Sequence, residues 1–370
     1  MIITILIFLI ILGVLIFVHE FGHFWVAKKS GMKVEEFGFG FPPRIAGIQK
    51  VNGKWRWVWG HKMPDNTEST VYSINWIPLG GFVRILGENN EDEHDPRSFI
   101  NQPAWKRFFS LVAGVVMNVL LAWVLVSAVY IPGFSVDPAT VAPSFTRMQP
   151  PQVNIVGLIN GGPAQKAGLK VGDTILQVNH IILSDDQSVQ EFISSEKGQV
   201  IDFTIERRGQ TLNINVKALS NPAPGQGATG IELETQSRLS APWYLAPLAG
   251  AQEVYQQTGA LFTGLYQLFT TKAGLANVGG PVEIAKLTGQ VRQLGFAALI
   301  EFTAFLSLNL AILNALPFPA LDGGRILFLV IEKVRRKRNN PNVEQFVNTV
   351  GFVLLLLLMV AVTIKDIIHK

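Results

Sequence analysis

Ile2-Ile-Thr-Ile-Leu-Ile-Phe-Leu-Ile-Ile-Leu-Gly-Val-Leu-Ile-Phe-Val18 carries no charge and runs directly into His19-Glu-Phe-Gly-His23. The apolar run is long enough to enter a bilayer, whose core needs roughly 20 helical residues. On a helix, His19 and His23 stand at i and i+4, so both imidazoles lie on one face and can reach one ion. Glu20 falls between them, placed to take a proton from water as a general base. A carboxylate at the centre of a membrane helix costs about 2.5–3.5 kcal/mol, so the group calls for a use. The bland alternative is a buried structural His pair.

The rest of the composition agrees with a membrane protein. Hydrophobic residues make up 48% of the 370-residue chain and charged residues 16%, with a mean hydropathy of +0.30. A net charge of +4, spread along the chain, argues against a nucleic-acid partner. With no cysteine, disulfides and thiolate–zinc sites are excluded, so any metal must use His, Asp or Glu. His61, His94, His180 and His369 complete the histidine supply. The N-terminal run lacks a basic leader and a small-residue cleavage site, and reads as a retained anchor.

Apolarity predicts four membrane-spanning helices, at about 3–27, 107–131, 296–316 and 346–364. Pro317 and Pro319 break the end of the third, and irregular backbone at that depth survives only inside protein or beside a wet cavity. Lys28, Lys29, Lys33, Lys106 and Arg107 flank spans one and two, and Arg325, Lys333 and Arg335–Arg338 lie between spans three and four. The excess of cations places both loops on the cytoplasmic side and the 132–295 region outside. The His motif and the Pro break then share one side.

Four segments organise the chain: a first half of a membrane core (1–131), a PDZ-like unit (150–220), a linker with an interfacial amphipathic helix (221–295), and a second core half (296–370). Between spans one and two, Trp55–Trp59 and Val71–Ile77 read as strands, with Pro78-Leu-Gly-Gly81 as a turn before Phe82–Ile85. Region 35–86 is thus expected to form a hairpin dipping into the membrane interface. Glu88–Asp95 reads as a solvated acidic loop. Residues 153–219 read as α+β: a strand at 174–179, a helix near 186–194, and strands 200–207 and 211–216 about an Arg208-Gly209 turn. The pattern Gly162-Pro-Ala…Ala167-Gly-Leu…Gly172-Asp173 resembles PDZ domains of bacterial proteases. In 248–272, Val254, Leu261, Phe262, Leu265, Tyr266 and Phe269 make one apolar face.

A catalytic zinc takes three protein ligands and keeps one position open. Asp322, in Asn314-Ala-Leu-Pro-Phe-Pro-Ala-Leu-Asp-Gly-Gly324, is the candidate third ligand, following the Pro break on the cytoplasmic side. Taken together, the His19–His23 motif, Asn314–Gly324, Phe37–Pro43, Ile77–Val83 and Ala113-Gly114…Asn118 resemble the site-2 protease family of intramembrane zinc metalloproteases, in its regulator-of-sigma-E form. Val115 and Pro42 depart from that pattern, where Pro and Gly are usual. The resemblance implies Zn²⁺ on His19, His23 and Asp322, Glu20 as base, and Asn314 and Asn309 assisting at the substrate. It implies an endopeptidase of the inner membrane acting on pre-trimmed single-span proteins, such as anti-sigma factors or signal-peptide remnants, with peptide C-termini as ligands of the PDZ unit. Two rivals stand beside it: a metal transporter, and an inactive PDZ-bearing scaffold.

Overall fold

The computed structural model describes residues 2–60, 68–88, 94–139, 142–223, 226–270 and 279–368. The expectations for His61, His369, the 89–93 part of the acidic stretch and the side chain of Phe269 lie outside the described residues. Two compact units result: Met1–Leu125 with Val254–Gly289 and Glu301–Lys370, and Val126–Glu253 with Gln290–Ile300.

The first unit begins with α1 (Ile2–Lys29), then β1 (Val34–Val51), β2 (Lys54–Trp59), β3 (Val71–Ile85) and α2 (Ala104–Tyr130). One stripe of α1 is buried, through Ile11, Leu15, His19, Gly22, His23 and Ala27, while Ile3, Leu6 and Ile10 face outward. That is the i, i+4 spacing of a helix packed on one side and facing lipid on the other. Gly22 allows the α1–α2 approach, since a Cβ there would stand 2.5 Å from the Ala113 carbonyl oxygen.

The sheet order is β2-β1-β3, which corrects the expected hairpin. Instead of a turn at 78–81, β3 is continuous through it, and β1 is a strand of 18 residues. Both strands bend, so that Phe37 pairs with Val83 and also with Tyr72. Glycine makes the bends: Gly40 and Gly80 both sit at φ 86°, where L side chains are strained. A side chain at Gly80 would also collide with Ile16 of α1. Phe24 stacks on Phe37 with centroids 4.4 Å apart, joining α1 to the sheet. Buried Glu36 is held by Arg44, whose Nε donates to it at 2.8 Å. Burial resists ionisation of Glu36, but the Arg44 guanidinium outweighs it and holds the carboxyl below its usual range.

The second unit carries β4 (Phe134–Val136), β5 (Arg147–Met148), β6 (Gln152–Leu158), α3 (Pro163–Ala167), β7 (Thr174–Val178), α4 (Asp186–Ser195), β8 (Val200–Arg207), β9 (Gln210–Lys217) and β10 (Ile231–Ser240). Strands run β4-β10-β6-β7-β8-β9, with β5 also on β10. Strand β10 lies inside the 221–295 stretch expected to be linker, and it pairs with β6 from Ile231↔Leu158 to Gln236↔Gln152. Its inward residues include Ser237 as well as Leu233 and Leu239, and that polar member hid the alternation. Val153, Ile155, Ile201, Phe203, Ile205 and Val216 form a closed core. Asp173, buried at 1%, accepts from Lys170 N and from Arg207, which explains the Gly-Asp of the motif. Asp173 in turn raises the Arg207 pKa. Asp185 caps α4 by accepting from Ser188 N at 2.7 Å.

The chain continues through α5 (Ala246–Thr270), α6 (Pro281–Leu294), α7 (Phe296–Ala315), α8 (Asp322–Arg335) and α9 (Pro341–Ile368). Helices α1, α2, α7 and α9 are long and apolar enough to cross a membrane, with 28, 27, 20 and 28 residues. Helices α3, α6 and α8 were not expected, and α8 matters most for the site. Its first turn can pack on the Pro-broken backbone because side chains at Gly323 and Gly324 would collide with the Leu316 and Phe318 carbonyl oxygens.

Candidate metal centre

Three side chains from two elements meet in the first unit. His19 Nε2 lies 3.2 Å from His23 Nε2, and Asp322 Oδ2 lies 2.9 Å and 3.3 Å from these two atoms. Helical spacing on α1 places the imidazoles one turn apart, and the Pro break turns the chain so that α8 begins with Asp322 facing them. Among the described residues this is one group of three metal-capable side chains, and both histidines are buried. His180 and His94 are exposed and are not members of that group.

The donor set fits zinc. Ligand bonds of about 2.0–2.2 Å in a tetrahedral site put neighbouring donor atoms about 3.3 Å apart, close to the three separations seen here. The Nδ1 of His23 faces the Ser110 carbonyl oxygen at 2.7 Å, so it carries the proton and leaves a lone pair on Nε2. Asp322 Oδ2 is buried and has no hydrogen-bond donor among the described residues. Buried acceptors facing one another at this range need a shared cation.

Helix α2 forms the wall behind the group. Ser110, Gly114 and Asn118 follow at i, i+4 and i+8, on one face. A side chain at Gly114 would collide with His23 Nε2 and the His19 ring, so only glycine lets α2 lie this close. Asn118, fully buried, approaches His19 Nδ1 at 3.3 Å. The sequence reading noted Gly114 and Asn118 as motif members without a role and missed Ser110; the four-residue spacing was the available signal.

Strand β3 closes another side. A Cβ on Gly81 would stand 2.9 Å from Phe17 Cα and 3.1 Å from Glu20 Cβ, so the strand backbone runs beside the candidate base. Arg325, one turn after Asp322, pairs with Glu88, which follows β3. Glu88 raises the Arg325 pKa and keeps the guanidinium charged. Asn309 donates to the Phe305 carbonyl oxygen of its own helix at 2.9 Å. Asn314 is half-buried near the end of α7, and among the described residues no hydrogen bond joins it to the His–Asp group.

The profile of peptidase family M50 matches residues 7–358. The chain belongs to that family. It is 30% identical over 449 residues to the regulator of sigma-W protease RasP of Bacillus subtilis, covering 98% of each chain. It is 28% identical over 445 residues to the zinc metalloprotease RasP of Geobacillus kaustophilus, covering 98% of this chain and 97% of the relative. A provisionally named zinc metalloprotease of Clostridium acetobutylicum is 32% identical over 370 residues, covering 99% and 98%. A solved PDZ domain of an SdrC-like protein from Listeria monocytogenes is 21% identical, covering 22% of this chain and 85% of its own, with a TM-score of 0.20. This M50 chain is a multi-pass membrane zinc metalloprotease, its activity is zinc-dependent intramembrane proteolysis, and its cofactor is zinc.

Proposed function

We propose that His19, His23 and Asp322 hold the zinc, that Glu20 is the general base, and that the enzyme cuts single-span membrane proteins already trimmed outside the bilayer. The convergence of the three donor atoms within 3.3 Å is the observation that carries this reading. Zinc, when bound, supplies a Lewis acid that polarises a carbonyl and acidifies the attacking water. Glu20 takes the proton from that water and passes it to the leaving amine. Asn314 donates its amide to the developing oxyanion. Asn309 keeps one amide hydrogen on Phe305 and offers the other.

A helical substrate hides its carbonyls in i→i−4 bonds, so it must unwind before attack, and each orphaned group then costs several kcal/mol. Segment 81–85 of β3 supplies new partners. It pairs with 34–39 on one side, and its other edge is free of strands among the described residues. With Gly81 against Glu20, a substrate strand added to that edge lies beside the base.

The cations flanking α1, α2 and α8 support a cytoplasmic metal end of the spans and, by chain parity, an extracytoplasmic α+β unit. The Gly162–Asp173 pattern supports a PDZ-type module there. Its cleft of 1320 Å³, lined by Leu158, Ile159, Leu169 and Ile193 among others, suits a peptide C-terminus.

The test measures zinc content and cleavage of a single-span peptide in vesicles. Glu20→Gln is expected to keep the zinc and lose cleavage, while Asp322→Ala loses both. Cleavage surviving in Glu20→Gln would refute the base assignment. For the strand edge, successive amides point to opposite sides. One of Phe82→Pro and Val83→Pro is therefore expected to lower cleavage with zinc retained.

A further inference from the structure

We infer that Asn118 is a positioning residue that holds His19 in the tautomer a metal requires. The inference rests on the reading of His19 as a ligand. An imidazole can give Nε2 to a cation only while Nδ1 carries the ring proton, and that proton then needs an acceptor. For His23 the acceptor is the Ser110 carbonyl oxygen, which is main chain and fixed by helix α2. For His19 the group facing Nδ1 is the Asn118 amide, at 3.3 Å.

Asn118 is wholly buried, and its Oδ1 has no hydrogen-bond partner among the described residues. An amide oxygen left bare in such a place forfeits the hydrogen bonds it would make in water. A half-turn of the amide brings Oδ1 to the His19 Nδ1 proton, at no cost in shape. The opposite orientation, with Nδ2 donating to Nδ1, would put the ring proton on Nε2 and close that atom to a cation. Only one of the two orientations is compatible with a ligand at His19.

The backbone around Asn118 is itself anchored. Ser307 Oγ of α7 donates to the Asn118 carbonyl oxygen at 2.8 Å, and both residues are fully buried. Main chain therefore orients one imidazole and side chain the other, both from a single face of α2. The side-chain half is the one open to substitution.

The experiment is chelator competition for zinc on the purified full-length chain in nanodiscs, without reference to cleavage. Asn118→Leu removes the acceptor and is expected to weaken zinc about 10–100-fold, the usual effect of losing such a partner. Asn118→Asp keeps an acceptor at the same length and is expected to hold zinc within threefold of wild type or more tightly. Ser307→Ala, which removes only the anchor on the backbone, is expected to stay within threefold. Asn118→Leu at wild-type affinity would overturn the inference, as would an Asn118→Asp loss as large as that of Leu. The Asp variant decides the matter even if the Leu variant fails to fold. Asp322→Ala and His19→Ala run alongside: retention of zinc by either sinks the ligand assignment itself, whereas their loss with Asn118→Leu unaffected sinks only the role of Asn118.

Discussion

The two sheets of this protein face opposite problems. The sheet of the α+β unit covers an apolar core of its own: Ile201, Phe203, Ile205 and Val216 are all at 0% exposure. The β2-β1-β3 sheet instead leaves Trp55, Trp57, Trp59, Ile74 and Trp76 exposed, while burying Glu36, Arg44, Gln49 and Asn75. The first is the pattern of a domain surrounded by water, with its apolar residues inside. The second carries an exposed aromatic face of the kind found at a membrane interface. Its strands are held by buried polar bonds, among them Asn75 Nδ2 donating to the Gly40 carbonyl oxygen at 2.8 Å. Stability in one sheet comes from packing, and in the other from a polar network and from α1.

Substitutions can break this contrast. The largest expected effect is Phe203→Ala, which opens a cavity in the closed core and should cost about 3–5 kcal/mol. Hydrogen exchange should then rise across 153–240 and stay unchanged in 34–85. In the other sheet, Arg44→Met strands a buried carboxylate and should cost about 3 kcal/mol, with exchange rising in β1 and β3 instead. Equal responses of both sheets to either change would remove the distinction. Gly80→Ala, strained at positive φ and pressed on Ile16, should cost about 1–3 kcal/mol and shift β3 relative to Glu20. Cleavage should fall in that variant while zinc stays bound. The smallest effect is expected for Asp185→Ala, which uncaps α4 and should lower the melting temperature slightly without touching zinc or cleavage.

Acid sharpens the same comparison. The folded Glu36 carboxyl titrates below its unfolded value, so its contribution is fully present above the ordinary pKa of about 4.3 and is lost as pH falls below that. Exchange protection in β1, taken relative to the intrinsic rate at each pH, should fall on acidification from pH 5 to pH 3. Glu36→Gln should flatten that dependence.

What the sequence disclosed divides along similar lines. All four spans were legible because apolarity over 20 or more residues has few other meanings, and observed ends differ from expected ones by at most five residues. The strands at 174–178, 200–207 and 210–217 showed through alternation, and the Arg208-Gly209 turn through its left-handed pair at φ 54° and 78°. Strand β3 was cut in two by reading Pro78-Leu-Gly-Gly81 as a turn. That inference was local, and the packing of Gly80 on Ile16 is a tertiary fact. Strand β10 was lost to an inward Ser237, and α8 because Asp-Gly-Gly signals a turn as readily as a helix start. At the candidate metal centre, the i, i+4 pair and the acid after a Pro break, which the structure brings together, were readable from residue chemistry. Ser110 offered only its four-residue spacing to Gly114 as a signal, since it acts through a carbonyl oxygen that every residue possesses.

X-ray absorption at the zinc edge of the purified protein tests the centre most directly. Two imidazoles and a carboxylate oxygen at about 2.0–2.2 Å are expected in the wild type, with the bound-zinc signal lost in His19→Ala and His23→Ala. A zinc environment unchanged in both variants would contradict the assignment.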